Sequence, residues 1–110
     1  MTFAEFDETN RQREARVHGT PYPFEAWHYA LGLGGDVGEL ADKVKAVYRE
    51  TNGDFGRISR ESRDILTHEL GDVLWYAGAL AAKLGRSLEE VARLDGPKRD
   101  ERERRRASAG

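Results

Sequence analysis

The sequence predicts an all-α domain, and three observations lead to that prediction. The chain has 110 residues, which is the size of a single domain. Apolar residues recur at spacings of three and four through its middle, as they do on one face of a helix. No segment shows a convincing strand pattern. We therefore expect a helical bundle of about four helices.

Capping residues, glycines and prolines set the expected helix ends. Thr2 and Glu5 have the spacing of a capping box, and Ser87 and Glu90 repeat it. The Gly-Pro pair at residues 96 and 97 is expected to end the last helix. The four expected helices span about residues 3–17, 24–50, 59–84 and 88–94.

The end of the chain differs in charge from the rest. The basic and acidic residues of positions 98–106 sum to +3, so the preceding residues carry −5 within a total of −2. This stretch has no apolar periodicity, which is typical of a solvated segment. We predict one domain over residues 1–97 and a charged, flexible tail over residues 98–110.

Composition excludes several classes of function. The chain has no cysteine, which excludes disulfides, cysteine-ligated zinc, iron–sulfur clusters and thiol catalysis. No apolar run approaches the roughly 20 residues that a membrane span needs, and no signal peptide is visible. We expect a cytoplasmic protein with no membrane partner.

The two long helices favour a homo-oligomer. A helix of about 27 residues is roughly 40 Å long. A compact chain of this size has a radius of gyration of only about 13 Å. One short helix on either side would leave the long helices partly uncovered, so we expect them to pack against another copy of the chain. The alternative is a monomeric four-helix bundle with frayed ends.

Two pairs of acids lie on these helices. Asp36 and Glu39, and likewise Glu69 and Asp72, are three residues apart and share a helix face. The second pair interrupts a stripe whose two ends are apolar, where unpaired acids would be costly. If the pairs face each other, four carboxylates converge, and oxygen ligands suit Mg²⁺ or Mn²⁺. Because Mg²⁺ commonly binds substrate phosphates, the pattern suggests phosphate chemistry.

Glycines support this interpretation, but an alternative stays open. Gly38 and Gly71 directly precede an acid inside a helix, at a cost of about 1 kcal/mol each, which is tolerated where backbones approach closely. The alternative is an exposed acid that pairs with a base on its own helix, such as Glu39 with Lys43 at i+4.

Two blocks of sequence resemble the MazG-like all-α nucleoside triphosphate pyrophosphohydrolases. Residues 31–45 (LGLGGDVGELADKVK) and 68–76 (HELGDVLWY) are similar to the ExxE and ExxD motifs that this family carries on successive helices. Residues 84–91 resemble the opening of its last helix. The resemblance covers about residues 25–98, makes residues 1–97 a MazG-like domain, and implies a dimer or tetramer.

The resemblance also implies an activity and a set of site residues. The activity is Mg²⁺-dependent hydrolysis of nucleoside or deoxynucleoside triphosphates to the monophosphate and pyrophosphate. The implied metal ligands are Asp36, Glu39, Glu69 and Asp72; the implied substrate contacts are Lys45, Arg49, Tyr76, Asp95 and Lys98. We expect Glu39 and Glu69 to act in catalysis, with Glu39 orienting or deprotonating the attacking water.

The sequence departs from the family pattern in three places. The first motif begins with Asp36 instead of Glu, which keeps the charge and shortens the reach. The segment between the motifs, residues 40–68, is slightly longer than the family's usual range. The expected break at residues 94–99 falls where relatives continue as a helix.

Other functions remain as alternatives. One is a non-catalytic or weakly active helical oligomer whose basic tail binds an acidic partner such as nucleic acid. The acids within the tail dilute its charge, so a solvated tail is favoured. Another is hydrolysis of one special nucleotide, since nothing in the sequence specifies the base. The aromatic residues that could stack on a base, or simply form the core or a subunit interface, are Tyr22, Trp27, His28 and Trp75.

Overall fold

The computed structural model describes residues 1–109 and consists of helices. The α-helices are α1 (Phe3–His18), α2 (Ala26–Glu50), α3 (Arg60–Lys83) and α4 (Leu88–Ala109), and a 3₁₀ helix at Phe55–Arg57 precedes α3. No strand occurs in this range. The predicted all-α class with four helices is therefore confirmed. Within the same range, no helix combines the length and the apolar character needed to cross a membrane.

The chain divides into two compact units. Phe24–Leu80 forms one of them, which contains α2 and most of α3, and we call it the hairpin unit. Met1–Pro23 and the described residues 81–109 form the other, which we call the terminal unit. Both pairs of acids from the sequence motifs belong to the hairpin unit.

Local side-chain caps begin α1 and α4. The Glu5 N–H donates to Thr2 Oγ1 at 3.0 Å, and the Thr2 N–H donates back to Glu5 Oε1 at 3.2 Å. At α4, the Glu90 N–H donates to Ser87 Oγ and the Ser87 N–H to Glu90 Oε1, both at 3.1 Å. This bond from the Ser87 backbone holds the pKa of Glu90 below its usual value. Both predicted capping boxes are confirmed.

The terminal unit brings α1 against the start of α4. The Leu88 N–H donates to Asp7 Oδ2 at 2.8 Å, so an acid of α1 satisfies one of the free N–H groups at the α4 N-terminus. Leu88 itself is buried. This contact attaches the last helix to the first across 81 positions of sequence.

The predicted end of the last helix is wrong. Instead of ending near Leu94, α4 continues through Gly96 and Pro97 to Ala109. Proline costs a helix one backbone hydrogen bond. Two ion pairs one turn apart support the helix here: one before Gly96, from Arg93 to Glu89, and one across Pro97, from Arg99 to Asp95. The other helix ends differ from the predictions by at most two residues. A flexible tail after residue 97 stays a prediction, since helical conformation does not measure mobility.

The backbone of α2 approaches α3 closely at Gly32. A Cβ built on Gly32 would overlap the ring of Tyr76, lying 2.6 Å from Cζ. A Cβ on Gly38 or Gly71 would meet nothing within 4 Å. The close approach that we predicted at Gly38 and Gly71 is therefore not made within one chain, and Gly32 makes it instead.

Candidate functional site

The four motif acids lie in the middle of the hairpin unit. Asp36 and Glu39 are on α2, and Glu69 and Asp72 are on α3. Asp36 and Glu69 are partly buried, whereas Glu39 and Asp72 are exposed. Each helix therefore offers one carboxylate partly withdrawn from solvent and one that solvent reaches freely.

Two contacts define the register of α2 against α3. Gly32 lies against Tyr76, and further along α2 the ammonium of Lys43 pairs with Glu69. As α2 advances, its neighbour on α3 moves back towards the start of that helix, so the two helices run antiparallel. Both acids of α2 and both acids of α3 fall in the interval that these two contacts bound.

Lys43 is the cation of this acidic region. Its Nζ donates a hydrogen bond to Glu69 Oε1, joining side chains that are 45% and 16% exposed. This bond raises the pKa of Lys43 above its ordinary value; desolvation opposes the rise, and the charges of Glu69, Glu39 and Asp72 add to it. Three of the four motif acids thus act on one ammonium group.

The carboxylates themselves are not gathered into a cage. In the described range, residues 1–109, no three His, Cys, Asp or Glu side chains are close enough together to hold a metal ion. The assignment of Asp36, Glu39, Glu69 and Asp72 as metal ligands stays a prediction. Sequence reasoning considered Lys43 only as a partner of Glu39 on its own helix, whereas the structure pairs it with Glu69.

Aromatic rings lie on one side of the acids. Tyr76 follows Asp72 by one turn, and its ring meets Trp75 edge-on, with centroids 5.0 Å apart. Trp75 in turn lies 6.3 Å from Tyr29, whose ring is edge-on to that of His28. Two of the aromatic residues proposed to stack on a base, His28 and Trp75, are therefore part of one cluster. Whether Tyr76 contacts a nucleotide stays a prediction.

An apolar cavity, which no sequence pattern predicted, lies on the other side of the acids. Its volume is about 550 Å³. The apolar side chains that line it are Leu40, Val44, Phe55, Ile58, Leu66 and Leu70. Leu40 and Leu70 directly follow Glu39 and Glu69 in the chain. The site therefore has carboxylates in its centre, an aromatic cluster at one end and an apolar cavity at the other.

The remaining predicted substrate contacts lie on α2 and on α4. Lys45 and Arg49 are exposed on α2, but Lys45 stands about 200° around the helix axis from Lys43. Asp95 and Lys98 lie on α4 in the terminal unit, where Asp95 accepts a hydrogen bond from Arg99. Their roles towards a substrate stay predictions.

Comparison with known proteins finds a domain family and a phage protein to which this chain is similar. The model of the MazG nucleotide pyrophosphohydrolase domain family matches residues 26–106, which include both acid motifs. The Gene 37 protein of Mycobacterium phage L5 is 46% identical over 57 residues. That alignment covers 52% of this chain and 47% of the phage protein, so the matched part spans about half of that relative. No solved structure matches the chain.

Proposed function

This chain belongs to the MazG nucleotide pyrophosphohydrolase domain family, and on that premise we propose that it hydrolyses nucleoside or deoxynucleoside triphosphates to the monophosphate and pyrophosphate. The observation that carries the proposal is the family match over residues 26–106, because the matched range contains both acid motifs. The antiparallel register supports it, since it sets those motifs in the same interval of the two helices.

The donor set fits a magnesium ion. Its four side chains offer carboxylate oxygens only, which are the ligands that Mg²⁺ prefers in proteins. The region already attracts one cation, the ammonium of Lys43. We propose that Asp36, Glu39, Glu69 and Asp72 hold Mg²⁺, with Mn²⁺ as a substitute. When bound, such an ion neutralises phosphate charge and lowers the pKa of a coordinated water.

We assign the activation of the attacking water to residues of the chain. Glu39 is exposed, so its carboxylate is accessible to a water, and we propose that it orients that water and accepts its proton. The oxygen of the water then bonds to the α-phosphorus, the bond from that phosphorus to the bridging oxygen breaks, and pyrophosphate leaves. Glu69, whose side chain is 16% exposed, is the second acid that we propose to act in catalysis.

We expect pyrophosphate release from at least one of the eight common triphosphates when each is incubated separately with the protein and Mg²⁺. The products should be a monophosphate and pyrophosphate in equal amounts, without free orthophosphate, as measured by anion-exchange chromatography. A chelator should stop the reaction, because without a divalent cation the four carboxylates would repel the negatively charged phosphates. The proposal fails if none of the eight substrates yields pyrophosphate.

We also propose that the chain assembles as a homodimer or homotetramer. Large apolar side chains are exposed on the hairpin unit, among them Leu31 at 77%, Trp27 at 71% and Leu70 at 57%. Trp27 and Leu31 lie one turn apart on α2, so their exposed side chains adjoin, and adjoining exposed apolar side chains mark interaction sites. Sedimentation equilibrium should give at least twice the chain mass of 12.4 kDa. Leu31→Glu should lower that mass, and a wild-type protein that sediments as a single chain would contradict the proposal.

No observation favours the alternative of a tail that binds an acidic partner. Along the second half of α4, Arg99 pairs with Asp95, and Arg104 and Arg105 pair with Glu101. The positive charge of this segment is thus partly neutralised within its own helix.

A further inference from the structure

Lys43 occupies a distinctive place among the acids. Its ammonium reaches from α2 to Glu69 on α3, which is 26 positions away in sequence. Glu39 lies one turn before Lys43 on the same helix, and Asp72 shares a face with Glu69. A single flexible side chain therefore brings a positive charge into the region where the proposed function needs a divalent cation.

The two cations would compete for the same carboxylate, that of Glu69. An ammonium donates hydrogen bonds to carboxylate lone pairs, and a metal ion needs those lone pairs for coordination. The side chain of Lys43 is 45% exposed, and a flexible chain of four carbons connects its ammonium to the backbone. It can therefore leave Glu69 by changing rotamer, while both helices stay in place.

We propose that Lys43 is an internal counter-cation, which neutralises the acids in the metal-free protein and competes with the divalent cation for Glu69. The inference rests on the proposed function, because it presupposes that Glu69 is a metal ligand. Lys43 is a positioning residue in this scheme, since it acts through Glu69. The ammonium of Lys43 then has two effects. It stabilises the metal-free hairpin unit, and it weakens the binding of a metal ion that is added alone.

The test measures metal affinity directly, without turnover. Free Mn²⁺ is followed by electron paramagnetic resonance during titration of the full chain, as wild type, Lys43→Met and Lys43→Arg. Methionine keeps a long unbranched side chain and removes the charge, so the competition ends and Mn²⁺ should bind more tightly, by up to about fivefold, the upper end for an exposed ion pair. Lys43→Arg keeps the charge and should stay within about twofold of wild type.

Arg60→Met is the matched control. It also removes one positive charge, but it lies at the first position of α3, roughly 14 Å along the helix from Glu69. That distance exceeds the Debye length at physiological salt, so Mn²⁺ affinity should not change. If Arg60→Met tightens binding as much as Lys43→Met does, the effect is one of net charge and the inference is overturned.

Thermal unfolding separates competition from a purely structural role. Metal-free Lys43→Met should melt below wild type, and added Mg²⁺ should raise its melting temperature by more than it raises that of wild type. A variant that melts lower but binds Mn²⁺ no more tightly than wild type shows a structural role only, which overturns this inference and leaves the proposed function intact. If neither wild type nor any variant binds Mn²⁺, the metal site itself is wrong and both proposals fall.

Discussion

Glu69→Gln is expected to reduce pyrophosphate release by at least about a hundredfold. Glutamine has nearly the same shape, so the packing of this 16% exposed side chain should survive. It lacks the negative charge that a divalent cation requires, and loss of a ligand costs at least as much as loss of an outer-shell partner, which reaches about a hundredfold. The measurement is the initial rate of pyrophosphate release at saturating Mg²⁺.

Glu61→Gln is the control for this substitution. It makes the same chemical change on the same helix, but in the exposed first turn of α3, away from the motif acids. Its rate should match that of wild type, and both variants should keep the helical circular dichroism of wild type. Full activity in a folded Glu69→Gln protein would remove this residue from the site.

The features that the sequence predicts well are those that depend on neighbouring residues. Each capping box joins residues three apart, and the hydrogen bonds at Thr2 and Ser87 follow that spacing. The turn residues between α2 and α3 behave in the same way: Asn52 and Gly53 adopt φ angles of +52° and +81°, which asparagine and glycine tolerate better than other residues do. Local geometry alone determines these structures, so no knowledge of packing is needed.

The end of α4 shows where local signals mislead. Gly96 and Pro97 both disfavour a helix, yet α4 passes through them. These two preferences sum to about 4 kcal/mol, whereas an ion pair one turn apart is worth only about 0.5 kcal/mol. The pairs Arg93–Glu89, before Gly96, and Arg99–Asp95, across Pro97, favour the helix, but they do not account for its continuation.

The candidate site could be predicted only in part for a related reason. The spacing of Glu69 and Asp72 places them on one face of a helix, which is a local property. The partner of Lys43 is not local: the i+4 rule points to Glu39, whereas helix packing brings Glu69 to it. Register between helices depends on contacts distant in sequence, and no periodicity within either helix specifies it.

Gly32→Ala is expected to destabilise the protein, although alanine is the better helix former. The new methyl group would overlap the Tyr76 ring, which is partly buried and in contact with Trp75. Overpacking of this kind costs about 1–3 kcal/mol, against a gain in helix propensity of at most about 1 kcal/mol. Urea denaturation should show a lower free energy of unfolding, with little change in the slope.

Gly35→Ala and a double variant show whether the ring is the cause. A Cβ on Gly35 meets nothing within 4 Å, so Gly35→Ala should raise the free energy of unfolding by up to about 1 kcal/mol. Combining Gly32→Ala with Tyr76→Leu removes the overlapping ring atoms, so the pair should be more stable than the sum of the single effects predicts. Simple additivity would show that the ring yields to the methyl group without cost, and that Gly32 does not set the register between the two helices that carry the acids.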